Sequence, residues 1–433
     1  SGGTIQNTTG HGIALTNTTG PSFRNMNLQN SGDSGVNGTQ VTGFSFIDGT
    51  ITGAGDGSDE NSITFDDSLT TTANLTGVVT ITNNVISQTE AEGIDIHNSA
   101  RTISNANISG NALSDTGDVA TPGSAVSLIG SGTPTTSASI TRATLANNVI
   151  TDFRAGVGFQ VRADNPNAGA PAGHAGIVGS ATDVIAVTGN LMNGGSGGIG
   201  NQPDRFFTGG KHGSGQGNFN ISNNGTAANR IRNIDCIAIE LQADGPANMT
   251  STVQNNFINP NSAVGCAGIA VGTDDPLDLG AGSHTTLISG NNVMGTDGPG
   301  IFPIVRDSGS TMTARVLNNT VAAPITTNAA RAGIRADSGS AQGDTTLCLE
   351  ISGNTTAGST NSATATTSPG INLRKQGTDP TVNTFGIEGM AATASPGVEN
   401  YVNGLNTSTS GTFGTGGTAL LSATSGFTTC TAP

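Results

Sequence analysis

The chain is poor in aromatic side chains. It has no tryptophan and one tyrosine, Tyr401, and aromatic residues make up 3% of its 433 residues. Sugar subsites usually present aromatic platforms, so this scarcity argues against a carbohydrate-active enzyme. Glycine is abundant, with 65 residues, and such a composition alone would suggest disorder. The regular recurrence of apolar residues opposes that interpretation.

Basic side chains and long apolar runs are also scarce. The 15 basic and 30 acidic residues give a formal net charge of −15 and a pI near 4.5. Nucleic acid and anionic membrane surfaces are therefore not expected as partners. No apolar run approaches the ~18 residues of a membrane span. No signal peptide is present and residues 1–4 already follow a repeat pattern, so we expect a processed segment of a secreted precursor.

The chain does contain a repeated phrase: an apolar residue, a spacer, Asn-Asn or Gly-Asn, a spacer and an apolar residue. Residues 253–258 are one copy, and residues 81–86 are another. The fourth position of each copy serves as an anchor, and the mean step between anchors is about 33 residues. The anchors are Met26, Gly49, Asn84, Asn111, Asn148, Asn190, Asn224, Asn256, Asn291, Asn319 and Asn354.

A second phrase follows most anchors. It is a small residue followed by alternating apolar positions, as in Gly93-Ile94-Asp95-Ile96. Each repeat thus carries one strand into an asparagine turn, a short strand out of it, a variable loop and a second alternating strand. The period of two, with no 3.6-residue periodicity, indicates strands throughout.

The asparagines have a local role in this interpretation. Asparagine tolerates a left-handed backbone, so we expect each anchor asparagine to form a sharp corner, with Gly49 substituting for it. Stacked amides would also hydrogen-bond along the axis as a ladder. The predicted ladder comprises Asn84, Asn111, Asn148, Asn190, Asn224, Asn256, Asn291, Asn319 and Asn354.

These motifs resemble the right-handed parallel β-helix, the pectate-lyase-like superfold. The prediction is an all-β solenoid of about eleven coils over residues 1–375, with a C-terminal capping segment over 376–433. The segment from residue 348 to the end is similar to the C-terminal ends of large secreted bacterial β-helix repeat proteins. That resemblance implies an extracellular or cell-surface location.

The four cysteines predict two disulfides. Cys236 and Cys266 are 30 residues apart, close to one coil, and each precedes a second-phrase strand by the same distance. In adjacent coils they would lie about 4.8 Å apart, within the range that a disulfide accepts. Cys348 and Cys430 would fasten the tail to the body. The alternative is buried free thiols.

The acidic loops are weak candidates for calcium. Asp56, Asp59, Glu60, Asp66 and Asp67 form one cluster; the other comprises Asp274, Asp275 and Asp278. Neither matches an EF-hand or a nonapeptide calcium repeat, so solvated loops are the simpler interpretation and no cofactor is predicted. The histidines at 11, 97, 174, 212 and 284 lack metal-ligand spacing and are expected at the surface. We assign no catalytic residue.

The leading functional hypothesis is an extracellular structural or adhesive protein, a rigid solenoid that displays loops or assembles into a surface fibre. The alternative is a polysaccharide lyase or glycoside hydrolase on the same fold, with two carboxylates near the long excursion at 163–218. Surface glycans are candidate ligands. Because open strands seek partners, the first coil is expected to contact another copy of the chain.

Overall fold

The computed structural model describes most of the chain. The described residues are 2–57, 60–66, 74–116, 123–132, 136–152, 156–163, 175–195, 202–261, 265–273, 281–327, 329–339, 344–375, 383–391, 397–408 and 427–432. In these ranges nearly all regular structure is strand, and the strands form three long parallel sheets. The single helix in this part of the chain is α1, Gly397–Leu405.

The strands are numbered in chain order and grouped here by sheet. Sheet 1 contains β1 Gly3–Thr8, β4 Met26–Ser31, β7 Thr50–Ala54, β10 Val85–Thr89, β13 Ala112–Thr116, β17 Val149–Thr151, β20 Leu191–Asn193, β23 Ile231–Arg232, β26 Phe257–Asn259, β29 Asn292–Val293, β32 Thr320–Val321, β35 Thr355–Thr356 and β38 Thr407–Ser408. Sheet 2 contains β2 Ile13–Thr16, β5 Val36–Thr39, β8 Ile63–Phe65, β11 Ile94–Asn98, β14 Ser124–Gly130, β18 Val157–Ala163, β21 Arg205–His212, β24 Ile239–Asp244, β27 Ile269–Thr273, β30 Ile301–Val305, β33 Ile334–Ser338 and β36 Ile371–Lys375. Sheet 3 contains β3 Ser22–Arg24, β6 Val41–Ile47, β9 Leu75–Thr82, β12 Thr102–Ser109, β15 Ser139–Ile140, β16 Ala143–Ala146, β19 Ile185–Thr188, β22 Gly215–Ser222, β25 Ala247–Gln254, β28 Ser283–Ser289, β31 Thr311–Leu317, β34 Thr346–Ser352, β37 Thr384–Glu388 and β39 Thr428–Cys430.

The pairing order makes the molecule a parallel β-helix, as predicted. Each turn of the chain adds one strand to each sheet, and each strand pairs with its counterparts in the turns before and after. Sheet 2 has 12 strands, so the chain makes about one turn more than the eleven anchors indicated. Strands β37, β38 and β39 still extend sheets 3 and 1 beyond residue 375. The boundary between solenoid and cap at that residue stays a prediction.

The core is a set of stacked apolar columns. In sheet 1, Ile86, Leu113, Ile150 and Met192 are register neighbours in four successive turns. All four are buried. Because each side chain packs on its counterpart one turn away, a thin core of aliphatic residues suffices, and few aromatics are required.

Glycine opens the second phrase for a steric reason. A Cβ atom at Gly93 would lie 2.7 Å from the carbonyl oxygen of Ala125 in the next turn. At Gly268 the corresponding distance to the Gly300 oxygen is also 2.7 Å. At these two positions the next turn approaches too closely for a side chain, whereas Ser62, Ala125 and Ala238 occupy the same register position in other turns.

The asparagine turn differs from the expected geometry. The left-handed residue is the one before the anchor, such as Asn83 with φ 57° or Gly110 with φ 67°. None of the nine predicted ladder asparagines, all of them described, has positive φ. The expectation that anchors form the left-handed corner was therefore wrong. Gly49 replaces an anchor asparagine for a different reason, because a Cβ there would lie 2.5 Å from the Phe46 ring.

The anchor asparagines instead form a buried hydrogen-bonded column. The Oδ1 atom of Asn256 accepts from the backbone N (3.1 Å) and Nδ2 (2.9 Å) of Asn224. Its Nδ2 donates to the carbonyl of Ile221 and to Oδ1 of Asn291, both at 2.9 Å. The amide therefore uses both donors and both acceptor positions. Asn84 begins the column, and among the described residues its Oδ1 accepts only the backbone N of Gly49, at 2.8 Å. The other eight predicted asparagines have the full pattern of Asn256, and all nine donate their backbone N to the next Oδ1 at 2.9–3.1 Å.

The column has a tenth asparagine that the sequence pattern missed. Asn406 accepts from the backbone N of Asn354 at 3.0 Å and from its Nδ2 at 2.9 Å. Asn406 directly follows α1, and its own Nδ2 donates to the carbonyls of Ile351 and Val402. A helix rather than a strand leads into this turn, so the apolar-spacer-Asn-Asn phrase is absent there.

Both predicted disulfides are present. Cys236 and Cys266 are joined with a Cα–Cα distance of 4.9 Å, and Cys348 and Cys430 with 5.9 Å. The first bond links adjacent turns just before β24 and β27. The second links β34 to β39. No cysteine of the chain is free.

One histidine lies inside the core, contrary to the expectation of surface positions. His284 on β28 is buried, between Met249 and Met312 in the register of sheet 3. Its Nε2 lies 2.9 Å from the Ser251 hydroxyl. Burial lowers the pKa of His284 from 6.5 to about 4, because an imidazolium would lose its hydration.

Replacing a ladder asparagine should destabilise the fold strongly. Asn256→Ala leaves several buried donors and acceptors without partners, and we expect a loss of about 3–5 kcal/mol. Urea unfolding followed by circular dichroism measures it. Asn255→Gly is the matched control, because glycine occupies this left-handed position at Gly110, and a change within about 1 kcal/mol is expected. Equal losses in the two variants would contradict the assigned roles.

Acid should destabilise the protein through His284. The folded-state pKa lies below the unfolded one, so the stability due to neutral His284 is present above pH 6.5 and lost as the pH falls to about 4. The loss amounts to up to about 3 kcal/mol. His284→Met continues the methionine column and should remove that part of the pH dependence in urea titrations between pH 4 and 7. His11→Met, at a more exposed histidine, should leave it in place.

Candidate functional site

The outer face of sheet 2 carries two clusters of charged side chains. Side chains alternate along each strand, so every second residue of β11 and β33 points away from the core. Asp95 and His97 are such residues on β11, and Arg335 and Asp337 are such residues on β33. The two clusters lie several turns apart and have different chemistry.

The first cluster is a chain of three hydrogen-bonding side chains from successive turns. The register places His97 beside Asp66, and their Nδ1 and Oδ1 atoms are 3.2 Å apart. On its other side, Nε2 of His97 lies 2.7 Å from the Ser131 hydroxyl. This is the order of groups in an acid–histidine–serine triad. Ser131 is buried, however, and its hydroxyl also lies 3.3 Å from the carbonyl oxygen of Asn98. A serine in that position does not reach a substrate on the surface.

Asp95 gives this cluster an acid that titrates near neutral pH. Burial raises the pKa of Asp95 from 3.8 to about 7, and the neighbouring carboxylates of Glu92 and Asp66 add to the rise. A hydrogen bond with Ser127 and the proximity of His97 oppose it. A protonated carboxyl beside an ionised one is the arrangement from which acid catalysis at a glycosidic bond is built.

The second cluster holds one buried carboxylate among three arginines. Arg335 donates from Nε to Asp337 Oδ1 at 2.9 Å, and its Nη2 contacts the other oxygen. Arg374, in the next turn, donates to the same two oxygens at 2.8 and 2.6 Å. Arg306, one turn earlier, lies 3.6 Å away. The three guanidinium groups compensate the cost of burying the Asp337 charge.

A depression of about 350 Å³ adjoins this cluster. It crosses β24, β27, β30 and β33, and its walls include Glu240, Phe302, Arg331 and Arg335. The Arg335 guanidinium carbon lies 4.7 Å from the centre of the Phe302 ring, a cation–π contact. The Cys236–Cys266 disulfide forms part of the wall, so it fixes the two turns that border the depression.

The candidate calcium loops can be examined only in part. Asp59, Asp67, Asp274, Asp275 and Asp278 lie outside the described residues, as do residues 164–174 and 196–201 of the 163–218 excursion. In the first loop, the Glu60 carboxylate accepts the backbone N–H groups of Asp56 and Gly57. Over the described ranges, the structure holds no group of three or more histidine, cysteine or acidic side chains that suits a metal.

Sequence reasoning missed both charged clusters. A signal for the second existed, because aligning the second phrases pairs Asp337 with Arg374. The first cluster had a weaker signal. Asp66 and Ser131 follow their strands rather than belonging to them, so their approach to His97 depends on the register between turns.

Comparisons with protein-family models, with curated proteins and with solved structures gave no match. The sheet topology and the bonded cysteines define the class of the protein, a parallel β-helix solenoid with two disulfides. The finer resemblance, to the pectate-lyase-like superfold and to secreted bacterial repeat proteins, stays a prediction. Among the described residues, no helix has the length and apolar character to cross a membrane.

Proposed function

We propose that the chain is an extracellular structural or adhesive protein whose solenoid acts as a rigid rod. The continuous asparagine column is the observation that carries this proposal, because it ties each turn from Gly49 to Asn406 to the next along the stack. At about 4.8 Å per turn, twelve turns give a rod roughly 60 Å long. The chain has one disulfide between adjacent turns, Cys236–Cys266, and one between β34 and β39, Cys348–Cys430. Such bonds suit an oxidising, extracellular environment.

The outer faces of the rod support a role in surface contacts. On sheet 1, Thr52, Ser87, Ser114 and Thr151 are register neighbours in four successive turns and form an outward polar column. Such a column repeats the same hydroxyl group at the spacing of the turns. An extended partner with a matching repeat would therefore meet several equivalent contacts at once.

The first turn supports self-association. Ile13 and Leu15 occupy inward positions on β2 but are only partly buried, whereas the equivalent residues of later turns are fully covered. In the described part of the chain, β1, β2 and β3 each pair with one neighbour only. A second copy stacked on this end would cover the apolar side chains and satisfy the open edges.

The assembly proposal is tested by mass. We expect the purified chain to give an oligomeric mass in light scattering that rises with concentration, and end-to-end rods in electron micrographs. Leu15→Lys places a charge in the covered contact and should yield monomers. Ala14→Lys, an exposed position on the same strand, adds the same charge and should leave assembly unchanged. A monomeric mass for the unmodified chain at all concentrations would contradict self-association.

A glycoside hydrolase is the second candidate, and the raised pKa of the largely buried Asp95, close to Glu92 and Asp66, is the observation that favours it. Asp95, which is 8% exposed against 1% for Ser131, would protonate the leaving oxygen, and an ionised carboxylate of the cluster would act on the opposite side of the sugar. The buried Ser131 does not count against this chemistry, which requires no serine, whereas the scarcity of aromatic residues does.

Reducing-end release from a panel of polysaccharides tests the enzyme proposal. Activity should decline above pH 7, where Asp95 loses its proton, and Asp95→Asn should lower it at least 100-fold. Asp33→Asn, which changes a more exposed carboxylate, is the control and should retain activity. Failure of the unmodified protein to cleave any polysaccharide, or full activity of Asp95→Asn, would exclude hydrolysis at this cluster.

A further inference from the structure

The depression on sheet 2 has a cationic end. The chain carries a net charge of −15, yet Arg306, Arg331, Arg335 and Arg374 converge on this part of the surface. Asp337 contributes one negative charge to the three guanidinium groups around it. That carboxylate is fully buried, and the two arginines that line the depression are Arg331 and Arg335.

Arg331 contributes a guanidinium group with hydrogen-bonding capacity to spare. Among the described residues, no acceptor reaches its Nε atom, although that atom is buried. Two hydrogen bonds to Ser359 fix the Arg331 backbone. The Arg331 N–H donates to the Ser359 hydroxyl at 2.9 Å, and the Arg331 carbonyl accepts from the Ser359 N–H at 2.8 Å. A buried donor without an acceptor is costly, and a bound anion would remove that cost.

Arg335 is held in place rather than neutralised. Its contacts to Asp337 and its position over the Phe302 ring fix the guanidinium plane at the wall of the depression. Arg374 and Arg306 contact the same carboxylate, so Asp337 is shared among three guanidinium groups rather than paired with Arg335 alone. A planar, fixed guanidinium is suited to a carboxylate or sulfate group.

The opposite end of the depression is polar without being cationic. Glu240 is engaged by Arg205, with 2.6 Å between Oε2 and Nε, and Gln242 lies beside it. Amide and carboxylate groups accept hydrogen bonds from hydroxyls but repel a second anionic group. The floor and walls between the two ends include Pro299, Phe302 and Ile304, which offer apolar contact.

We propose that this depression binds an acidic saccharide unit, with its anionic group at Arg331 and Arg335 and its hydroxyls at Gln242 and Glu240. The anionic group is a carboxylate or a sulfate. The apolar residues between the ends contact the C–H face of the sugar ring. A dense polyanion such as nucleic acid does not fit, because Glu240 and the net negative charge of the chain repel it. The inference deepens the proposed adhesive function by naming a ligand class.

Titration calorimetry with matched sugars tests the proposal. Cellobiouronate and cellobiose differ only in that a carboxylate replaces a hydroxymethyl group, so this pair tests recognition of a carboxylate. A lactose monosulfate and lactose form the second pair, which tests recognition of a sulfate. We expect the acidic member of at least one pair to bind at least tenfold more tightly than its neutral counterpart, and less tightly in high salt. The pair that shows the difference identifies the anionic group. Equal affinity within both pairs, or no binding of any probe, would overturn the proposal.

Variants of Arg331 locate the site. Arg331→Ala should weaken binding of the acidic probe about tenfold or more, and Arg331→Lys should restore part of it. Arg24→Ala removes the same charge from sheet 3 and should have no effect. Thermal unfolding of each variant verifies the fold. If Arg331→Ala does not fold, the binding affinity of Arg331→Lys is compared with that of the unmodified protein instead. Unchanged binding in Arg331→Ala, or equal loss in Arg24→Ala, would reject the site.

The assembly measurements are independent of these titrations. Calorimetry on the monomeric Leu15→Lys protein examines the depression alone, since that substitution lies at the first turn. Loss of sugar binding with assembly intact would reject the ligand and leave the structural role standing. If the protein binds the acidic sugar but never assembles, the ligand proposal stands and the proposal of a surface fibre is rejected.

Discussion

The hydrogen-bonded column of asparagine side chains is the interaction on which the rest of the structure depends. From Asn111 to Asn354 each amide lies in the interior at the corner between sheets 3 and 1, and its two donors and two acceptor positions are all occupied by neighbouring turns. In that environment a missing partner costs far more than a present one contributes. The column therefore fixes the register between successive turns from Gly49 to Asn406, and the aliphatic columns and the disulfides follow that register.

The same constraint explains why the loops vary so widely. Successive ladder asparagines are separated by 27 residues at one point and by 52 at another, yet the hydrogen bonds at both are 3.0 Å or less. Only the corner and the strands beside it are specified, and lengthening a surface loop costs little chain entropy. The outer faces and loops are thus free to carry specific chemistry while the interior stays uniform.

Sheet 2 shows two electrostatic solutions for a carboxyl removed from water. Asp95 lies near other carboxylates and holds its proton up to about pH 7, since burial and Glu92 both raise its pKa. Asp337 is surrounded by guanidinium groups, which compensate its charge directly. The outcome depends on the neighbours that adjacent turns supply, and it decides whether the site offers a proton or a positive surface.

The sequence by itself determined the fold class, the asparagine column from 84 to 354 and the cysteine pairing. These features arise from local patterns that recur in register, which a linear reading can detect. Only the tertiary structure assigned the left-handed residue to Asn83 rather than Asn84, added Asn406 to the column and placed His284 in the core. It alone brought His97 to Asp66 and Arg331 to the depression beside Arg335. Those contacts join residues from different turns whose loops differ in length, so their separation in the sequence carries no fixed relation to their separation in space.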